Sequence, residues 1–235
     1  MDHKIKSISI TQFDYIIRNV TDESLDINGH AHHFTEFSPD GNLLKEVKYN
    51  HHGDFEEMIV YGYDASGKLI RESYYPAENE LAEEKIFERN ESGQIIRAFK
   101  NYQDGSADTI TFEYDAANQL IKKTTTSDEG EIDQVETFEW DNGTLVNHEI
   151  MDGEGELISV EDEGALLTNQ TRITHNEKDQ VISEEEMDDN GDVYMTVNRT
   201  YDEDGRADEV EVFVDGRGQT ISRHYVLKYG YTFFD

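Results

Sequence analysis

Residues 109–120, TITFEYDAANQL, contain one complete strand and the turn that ends it. Ile110, Phe112 and Tyr114 fall on one face of an extended chain, and Thr or Glu occupies the alternate positions, which is the period-2 pattern of a half-buried β-strand. Asp, Ala and Asn follow at once, and Asn tolerates the positive φ that a tight turn requires. The stretch therefore predicts one arm of a β-hairpin.

Turn residues of this kind recur along the whole chain in two interleaved series. Successive members of the first series are 26, 26, 25, 25, 36 and 26 residues apart, and those of the second are 26, 26, 25, 25, 36 and 27 apart. The regular spacing is the signature of an internal repeat. The first series is Gly41, Gly67, Gly93, Asn118, Gly143, Asp179 and Gly205, and the second is Gly53, Asn79, Gly105, Gly130, Gly155, Gly191 and Gly218.

Each period of about 26 residues predicts two strands and two turns, and helical spacing is absent. We expect an all-β protein of tandem antiparallel β-hairpin repeats, forming an elongated, twisted or coiled sheet of about 15 or 16 strands. Gly29 precedes Gly41 by half a period, so residues 1–34 are interpreted as a cap with a half-repeat. About five repeats fill 35–158, an insertion or irregular loop occupies 159–170, and the final two repeats with a C-terminal strand occupy 171–235.

Composition sets limits on the class of protein. Acidic residues outnumber basic ones 53 to 20, giving a formal net charge of −33, while 13 Tyr and 11 Phe argue for a folded chain with a thin core. The absence of cysteine excludes disulfides and thiolate chemistry. Residues 1–10 alternate polar and apolar, and no later stretch approaches 18 apolar residues, so we expect a soluble, cytoplasmic protein.

A Tyr-Asp-x-x-Gly-x-Leu pattern recurs at the first series of turns. Residues 63–69 (YDASGKL) match it fully, 114–120 (YDAANQL) place Asn at the Gly position, and 201–206 (YDEDGR) lack only the Leu. Residues 140–145 (WDNGTL) shorten the turn, and 37–43 (FSPDGNL) keep the aromatic residue, Gly and Leu. The chain in this respect resembles the YD, or RHS-type, repeats of bacterial surface and toxin proteins. The resemblance implies a spiralling β-sheet and, by analogy, an immunity-type role in a toxin system.

No sequence motif indicates catalysis. The chain contains no GxSxG elbow, Walker-type phosphate loop, HExxH or GxGxxG motif. Carboxylates are so abundant that pairs such as those in residues 184–186 are most simply solvated, and a glycoside hydrolase is the least favoured hypothesis. We expect a protein that is not an enzyme and needs no cofactor.

Two groups of residues leave metal binding open. His30, His32 and His33 follow Gly29, while His51 and His52 precede Gly53, so equivalent turns would place all five along one sheet edge and some could share a divalent ion. The alternative is that they are exposed turn residues without a metal. The Asp-rich turns at 188–192 and 202–208 offer the oxygen ligands of Ca²⁺, although tight turns need the same residues.

The charge indicates the kind of partner. A surface of this sign repels nucleic acid and anionic membranes and favours a basic protein, such as a toxin domain, although it also serves solubility. We expect a protein-binding module, most simply an immunity-type inhibitor. The alternative is a structural or surface-associated repeat protein that self-assembles or binds carbohydrate through Tyr61, Tyr63, Tyr74, Tyr75, Phe87, Phe112, Tyr114 and Trp140. The predicted partner-binding residues are Glu83, Glu84, Glu113, Glu136, Glu139, Glu184, Glu186, Glu209 and Glu211.

Overall fold

A computed structural model describes residues 4–17, 25–161, 170–188, 190–216 and 222–235. These residues form seventeen β-strands, every registered pair of which is antiparallel, and no helix. The predicted all-β class of tandem hairpins is confirmed. The strands are β1 (Ile5–Ile17), β2 (Leu25–Phe37), β3 (Leu43–Tyr49), β4 (Phe55–Tyr63), β5 (Leu69–Tyr75), β6 (Glu83–Arg89), β7 (Ile95–Tyr102), β8 (Ala107–Tyr114), β9 (Leu120–Thr126), β10 (Ile132–Asp141), β11 (Thr144–Asp152), β12 (Leu157–Glu161), β13 (Gln170–His175), β14 (Val181–Met187), β15 (Val193–Tyr201), β16 (Ala207–Val214) and β17 (Arg223–Phe233).

One five-residue turn is used repeatedly between these strands. At residues 115–119 the Asp115 N–H donates to the Gln119 carbonyl at 3.0 Å, and the Asn118 N–H donates back to the Asp115 carbonyl at 3.1 Å. The Asp115 carboxylate accepts from the N–H groups of Ala117 and Gln119. This side-chain cap explains why Asp, Asn or Ser begins the turns. The equivalent cap is made by Ser38, Asn50, Asp64, Asn90, Ser127, Asp152, Asn176, Asp188 and Asp202.

The fourth turn residue has a left-handed backbone, as the repeat spacing predicts. Thirteen of the fourteen predicted positions have φ between 62° and 91°, including the non-glycine residues Asn79, Asn118 and Asp179. Gly218 lies outside the described residues. The two series of turns are therefore confirmed wherever the structure describes them.

The chain divides into two compact units. Unit 2, residues 57–166, contains most of β4 and runs to β12, and each strand pairs with the next in the chain. Unit 1 comprises residues 1–56 and 167–235. Its strands β13 to β17 also pair in succession, but β17 then pairs with β1, β1 with β2 and β2 with β3. The amino-terminal segment is thus a 13-residue strand between β17 and β2, which raises the strand number above the expected 15 or 16.

The interpretation of Gly29 as a turn residue is wrong. Gly29 lies inside β2, opposite Phe13 of β1, and a Cβ built on it would stand 2.6 Å from a Phe13 ring carbon. The residue is therefore glycine because the Phe13 ring covers the backbone, not because the chain turns. Consequently His30, His32 and His33 lie within a strand rather than at a turn edge.

The core is thin, as the composition predicts. Among the described residues the buried apolar side chains are small or medium in size, and none of the large ones is fully buried. Ala98 of β7, which is completely buried, faces Ile110 of β8, and Val197 of β15 faces Val212 of β16. Packing is thus local to neighbouring hairpins. The buried apolar residues are Val47, Ala98, Ile110, Met187, Val197, Val212 and Val226.

A hydrogen bond from the motif aromatic residue ties neighbouring strands together where their backbone pairing has ended. The Tyr114 hydroxyl at the end of β8 donates to the carbonyl of Ile95, the first residue of β7, at 2.9 Å. This bond and the Asp turn together account for the recurring Tyr-Asp pair in this chain. The same link joins Trp140 to Leu120, Tyr201 to Val181 and Tyr231 to Ala207. At the end of β6, the Arg89 guanidinium replaces the aromatic residue and donates to the Leu69 carbonyl.

The predicted insertion at 159–170 overlaps two strands, because residues 159–161 belong to β12 and Gln170 begins β13. Its remaining residues, 162–169, lie outside the described part of the chain. Within the described residues, no helix combines the length and the apolar character needed to cross a membrane.

Candidate binding surface

Most of the predicted partner-binding glutamates form bonds within the sheet. In unit 2, Glu83 pairs with Lys100 at 3.0 Å, and Glu113 pairs with Lys122 at 3.6 Å. Glu84 lies 3.7 Å from an Arg71 nitrogen on the neighbouring strand. These are cross-strand pairs, which stabilise a sheet locally. Each of these three glutamates is therefore already partly neutralised by a Lys or Arg of the same sheet.

Glu136 is the most enclosed member of the predicted set. Its side chain is 12% exposed, with one carboxylate oxygen 2.5 Å from Lys123 Nζ and the other 3.2 Å from His148 Nε2. The His148 ring stacks on Phe138, with centroids 4.5 Å apart. The Glu136 carboxylate is thus neutralised by neighbours within the fold and is too little exposed to contact a partner.

The predicted glutamates of unit 1 are also engaged. Glu184 pairs with Arg199 at 3.0 Å, Glu209 with Lys228 at 2.5 Å and Glu211 with His224 at 2.8 Å, while Glu186 accepts a short hydrogen bond from the Tyr194 hydroxyl. Of the whole predicted set, only Glu139 has neither an ion pair nor a side-chain hydrogen bond among the described residues.

The strand register also divides the predicted residues between opposite faces. Glu83 and Glu84 are adjacent in β6 and so point to different sides. In unit 1, Glu184 faces Val197, which faces Val212, so Glu184 lies on the opposite side from Glu211. The predicted residues do not form one continuous surface, and their part in binding stays a prediction.

The least compensated negative charge lies at one edge of unit 2. In a succession of hairpins, alternate turns fall on the same edge, about 10 Å apart. The turns at 76–80, 102–106, 127–131 and 152–156, here called the acidic edge, contain nine carboxylates and no Lys or Arg. They are Glu78, Glu80, Asp104, Asp128, Glu129, Glu131, Asp152, Glu154 and Glu156.

These carboxylates have no cationic partner in the described part of the chain. Asp152 uses its carboxylate to cap its own turn, and Asp104 accepts hydrogen bonds from the Ser106 hydroxyl and N–H. The Ser106 hydroxyl bond, followed by the Ser106 N–H bond, lowers the pKa of Asp104 below its usual value. The Asp104 carboxylate therefore stays charged at a lower pH than an ordinary aspartate does.

The opposite edge of unit 2 differs in charge. Its turns at 64–68, 90–94, 115–119 and 141–144 contain four carboxylates, of Asp64, Glu91, Asp115 and Asp141, together with Lys68. The repeat thus concentrates acidic residues in one series of turns. The acidic edge is not among the predicted binding residues, although the difference in charge between the two turn series is present in the sequence.

The predicted metal-binding residues are not arranged around a common point. In the described residues, no group of three or more His, Asp or Glu side chains is placed to hold a metal ion. His30 faces Asp14 at 3.5 Å, and His33 lies 3.8 Å from Glu46. Burial, followed by the charges of His33 and His30, lowers the pKa of His32.

Two carboxylates of the second Asp-rich turn, those of Asp202 and Asp204, already bind an arginine. Arg206 lies 2.7 Å from the Asp202 carboxylate and 2.5 Å from the Asp204 carboxylate. The guanidinium therefore binds the carboxylate oxygens that the sequence offered as Ca²⁺ ligands. The Asp188 carboxylate caps its own turn through the N–H groups of Asn190 and Asp192, and Asp189 lies outside the described residues.

Unit 2 also has a groove of about 390 Å³ on one face of β4, β5 and β6. Ile59, Tyr74 and Glu83 form a row across the three strands, because Ile59 faces Tyr74 and Tyr74 faces Glu83. Glu72 and Lys85 face each other in the adjacent row, and Glu57 completes the lining. The groove combines an apolar floor, an aromatic ring and three carboxylates.

Comparisons with known proteins give only remote likenesses. No family model and no curated protein matches the sequence. A solved porin-like protein from Bacteroides uniformis is 10% identical, with a TM-score of 0.44, over 97% of this chain and 98% of that one. A porin-like protein from Bacteroides vulgatus is 10% identical, with a TM-score of 0.26, over 98% and 99%. At these values neither likeness supports a functional assignment.

Proposed function

We propose that this protein is a non-enzymatic binding module that holds a basic protein partner against the acidic edge. The observation that supports this is the segregation of nine unpaired carboxylates at one edge of unit 2, while the opposite edge has four and a lysine. Charge that served solubility alone would not need to be segregated. A one-sided field orients an approaching cationic surface and speeds its association.

The energetics favour a cationic partner over self-association. Turns about 10 Å apart place like charges slightly more than one Debye length apart at physiological salt, where that length is about 8 Å. The repulsion between neighbouring turns of the free edge is therefore reduced by salt but not abolished. A basic protein relieves that repulsion on binding, whereas a second copy of a chain with net charge −33 increases it.

The finer role we propose is that of an immunity-type inhibitor of a basic bacterial toxin, acting in the cytoplasm. This part depends on the resemblance of the Tyr-Asp-x-x-Gly turns to YD repeats. A toxin that binds nucleic acid needs a basic surface for phosphates, and a row of carboxylates would compete for that surface. The protein would then act without chemistry or cofactor.

The test is affinity capture from the source cell, with the immobilised protein washed at about 50 mM and about 500 mM salt. We expect one basic protein to be retained at low salt and lost at high salt, and mass spectrometry identifies it. Failure to retain a specific protein under either condition would contradict the proposal and would favour the structural or carbohydrate-binding alternative.

A further inference from the structure

The groove on β4, β5 and β6 adjoins the acidic edge. Tyr74 lies two residues before the turn at 76–80, and Glu83 lies three residues after it, at the β6 end nearest that turn. A partner seated on the acidic edge at this turn therefore reaches the mouth of the groove. The volume of about 390 Å³ falls within the range of sites that take a side chain or small ligand.

Carboxylates outnumber cations in the groove lining, and one of them, Glu72, is not in an ion pair within the described residues. Its lining includes Glu57, Glu72 and Glu83 against Lys85, and Glu83 is already shared with Lys100 at 3.0 Å. In the described residues Glu72 has no ion pair, although its register partner is Lys85. After burial, the charge of Glu72 is the second cause that raises the pKa of Tyr63. The groove therefore has an available carboxylate beside an aromatic ring.

We propose that the groove receives an arginine side chain of the basic partner. The aliphatic part of arginine would lie on Ile59, its planar guanidinium would stack on the Tyr74 ring, and its N–H groups would donate to the Glu72 carboxylate. Arginine is favoured over lysine because only the planar guanidinium can both stack on an aromatic ring and donate two hydrogen bonds to one carboxylate. This inference rests on the proposed function and identifies the anchor of that interface.

The experiment titrates ¹⁵N-labelled full-length protein with the peptide acetyl-Gly-Arg-Gly-amide and, separately, with its Lys counterpart. We expect saturable shift changes centred on the amides of Ile59, Glu72 and Tyr74, with the arginine peptide binding more tightly. Loss of one charge-assisted contact in Glu72→Gln should weaken arginine binding by about tenfold. The matched control Glu91→Gln, at the opposite edge, should stay within about twofold of the wild type.

A second variant separates stacking from charge. Tyr74→Leu keeps an apolar side chain but removes the aromatic ring. The affinity for the arginine peptide should therefore fall more than the affinity for the lysine peptide. Shift changes confined to the acidic edge, or equal affinity in Glu72→Gln and the wild type, would overturn the assignment. If affinity capture succeeds and the peptide does not bind the groove, only the arginine anchor fails. If the peptide binds and no basic protein is captured, the proposed function fails.

Discussion

Carboxylates on the strands and carboxylates at the acidic edge have different surroundings within the same unit. Glu136 contacts Lys123 and His148 and is 12% exposed, whereas Glu129 and Glu154 at the turns are exposed and have no cationic partner among the described residues. The cations of this acidic chain are used mostly along the strands. The comparison suggests that strand carboxylates stabilise the sheet and that turn carboxylates are available to a partner.

The division has a physical cause. Directly opposed residues on neighbouring strands bring a Glu and a Lys close enough to pair, as Glu113 and Lys122 do. A turn projects beyond the last paired residues, so its side chains have no cross-strand neighbour to neutralise them. Because alternate turns of successive hairpins lie at the same edge of the sheet, the carboxylates of these turns collect along that edge.

The largest effect is expected at the enclosed ion network. Glu136→Ala should destabilise the protein by about 3 kcal/mol, because it leaves the Lys123 ammonium without its carboxylate in a partly buried site. The measurement is the free energy of unfolding from urea titration. Glu139→Ala, in the same strand and without an ion pair among the described residues, is the control and should change stability by less than about 0.5 kcal/mol. Equal losses in the two variants would refute the distinction between paired and unpaired strand carboxylates.

Spacing was enough to predict the turns, because the left-handed position admits few residue types and so leaves a Gly, Asn or Asp every half-period. Spacing gave the wrong interpretation at Gly29, where glycine is required because the Phe13 ring leaves no room for a Cβ. The pairing of β1 with β17 joins residues at opposite ends of the chain, so no local pattern reveals it.

The candidate site was less predictable than the fold. A glutamate on a strand looks the same in the sequence whether a Lys faces it or not, and the register that brings Lys100 to Glu83 is fixed by the turn between their strands. The acidic edge depends only on the residue types of the turns. The acidic edge can therefore be predicted from the sequence once each turn has been assigned to one edge of the sheet.

An intermediate effect is expected from the hydroxyl link between strands. Tyr201→Phe removes the 2.7 Å hydrogen bond to the Val181 carbonyl and should reduce the free energy of unfolding by about 1 kcal/mol. Tyr229→Phe is the matched control, because the Tyr229 hydroxyl makes no hydrogen bond among the described residues. A stability loss in Tyr229→Phe as large as that in Tyr201→Phe would show that the link does not matter.

The smallest effect concerns the turn caps and is visible through pH. The Lys68 N–H, followed by the Ser66 hydroxyl, lowers the pKa of the Asp64 carboxyl. Because the pKa is lower in the folded state, the cap stabilises the protein above the unfolded pKa, and this contribution disappears as pH falls through the folded pKa. The difference between the urea midpoints of the wild type and Asp64→Ala should be largest at about pH 7 and should shrink as the pH is lowered through the folded pKa. A difference that persists unchanged in acid would exclude a charged cap.

The central claim is tested most directly by two variants with equal loss of charge in unit 2. One replaces Glu129, Glu131, Glu154 and Glu156 of the acidic edge with Gln. The other replaces four strand glutamates that form ion pairs, Glu84, Glu88, Glu113 and Glu136, with Gln. Affinity for the captured basic protein and the urea midpoint are measured for both. We expect the edge variant to lose binding and keep its stability, and the strand variant to lose stability and keep most of its binding. Equal affinities, or a loss of binding only in the strand variant, would contradict the central claim.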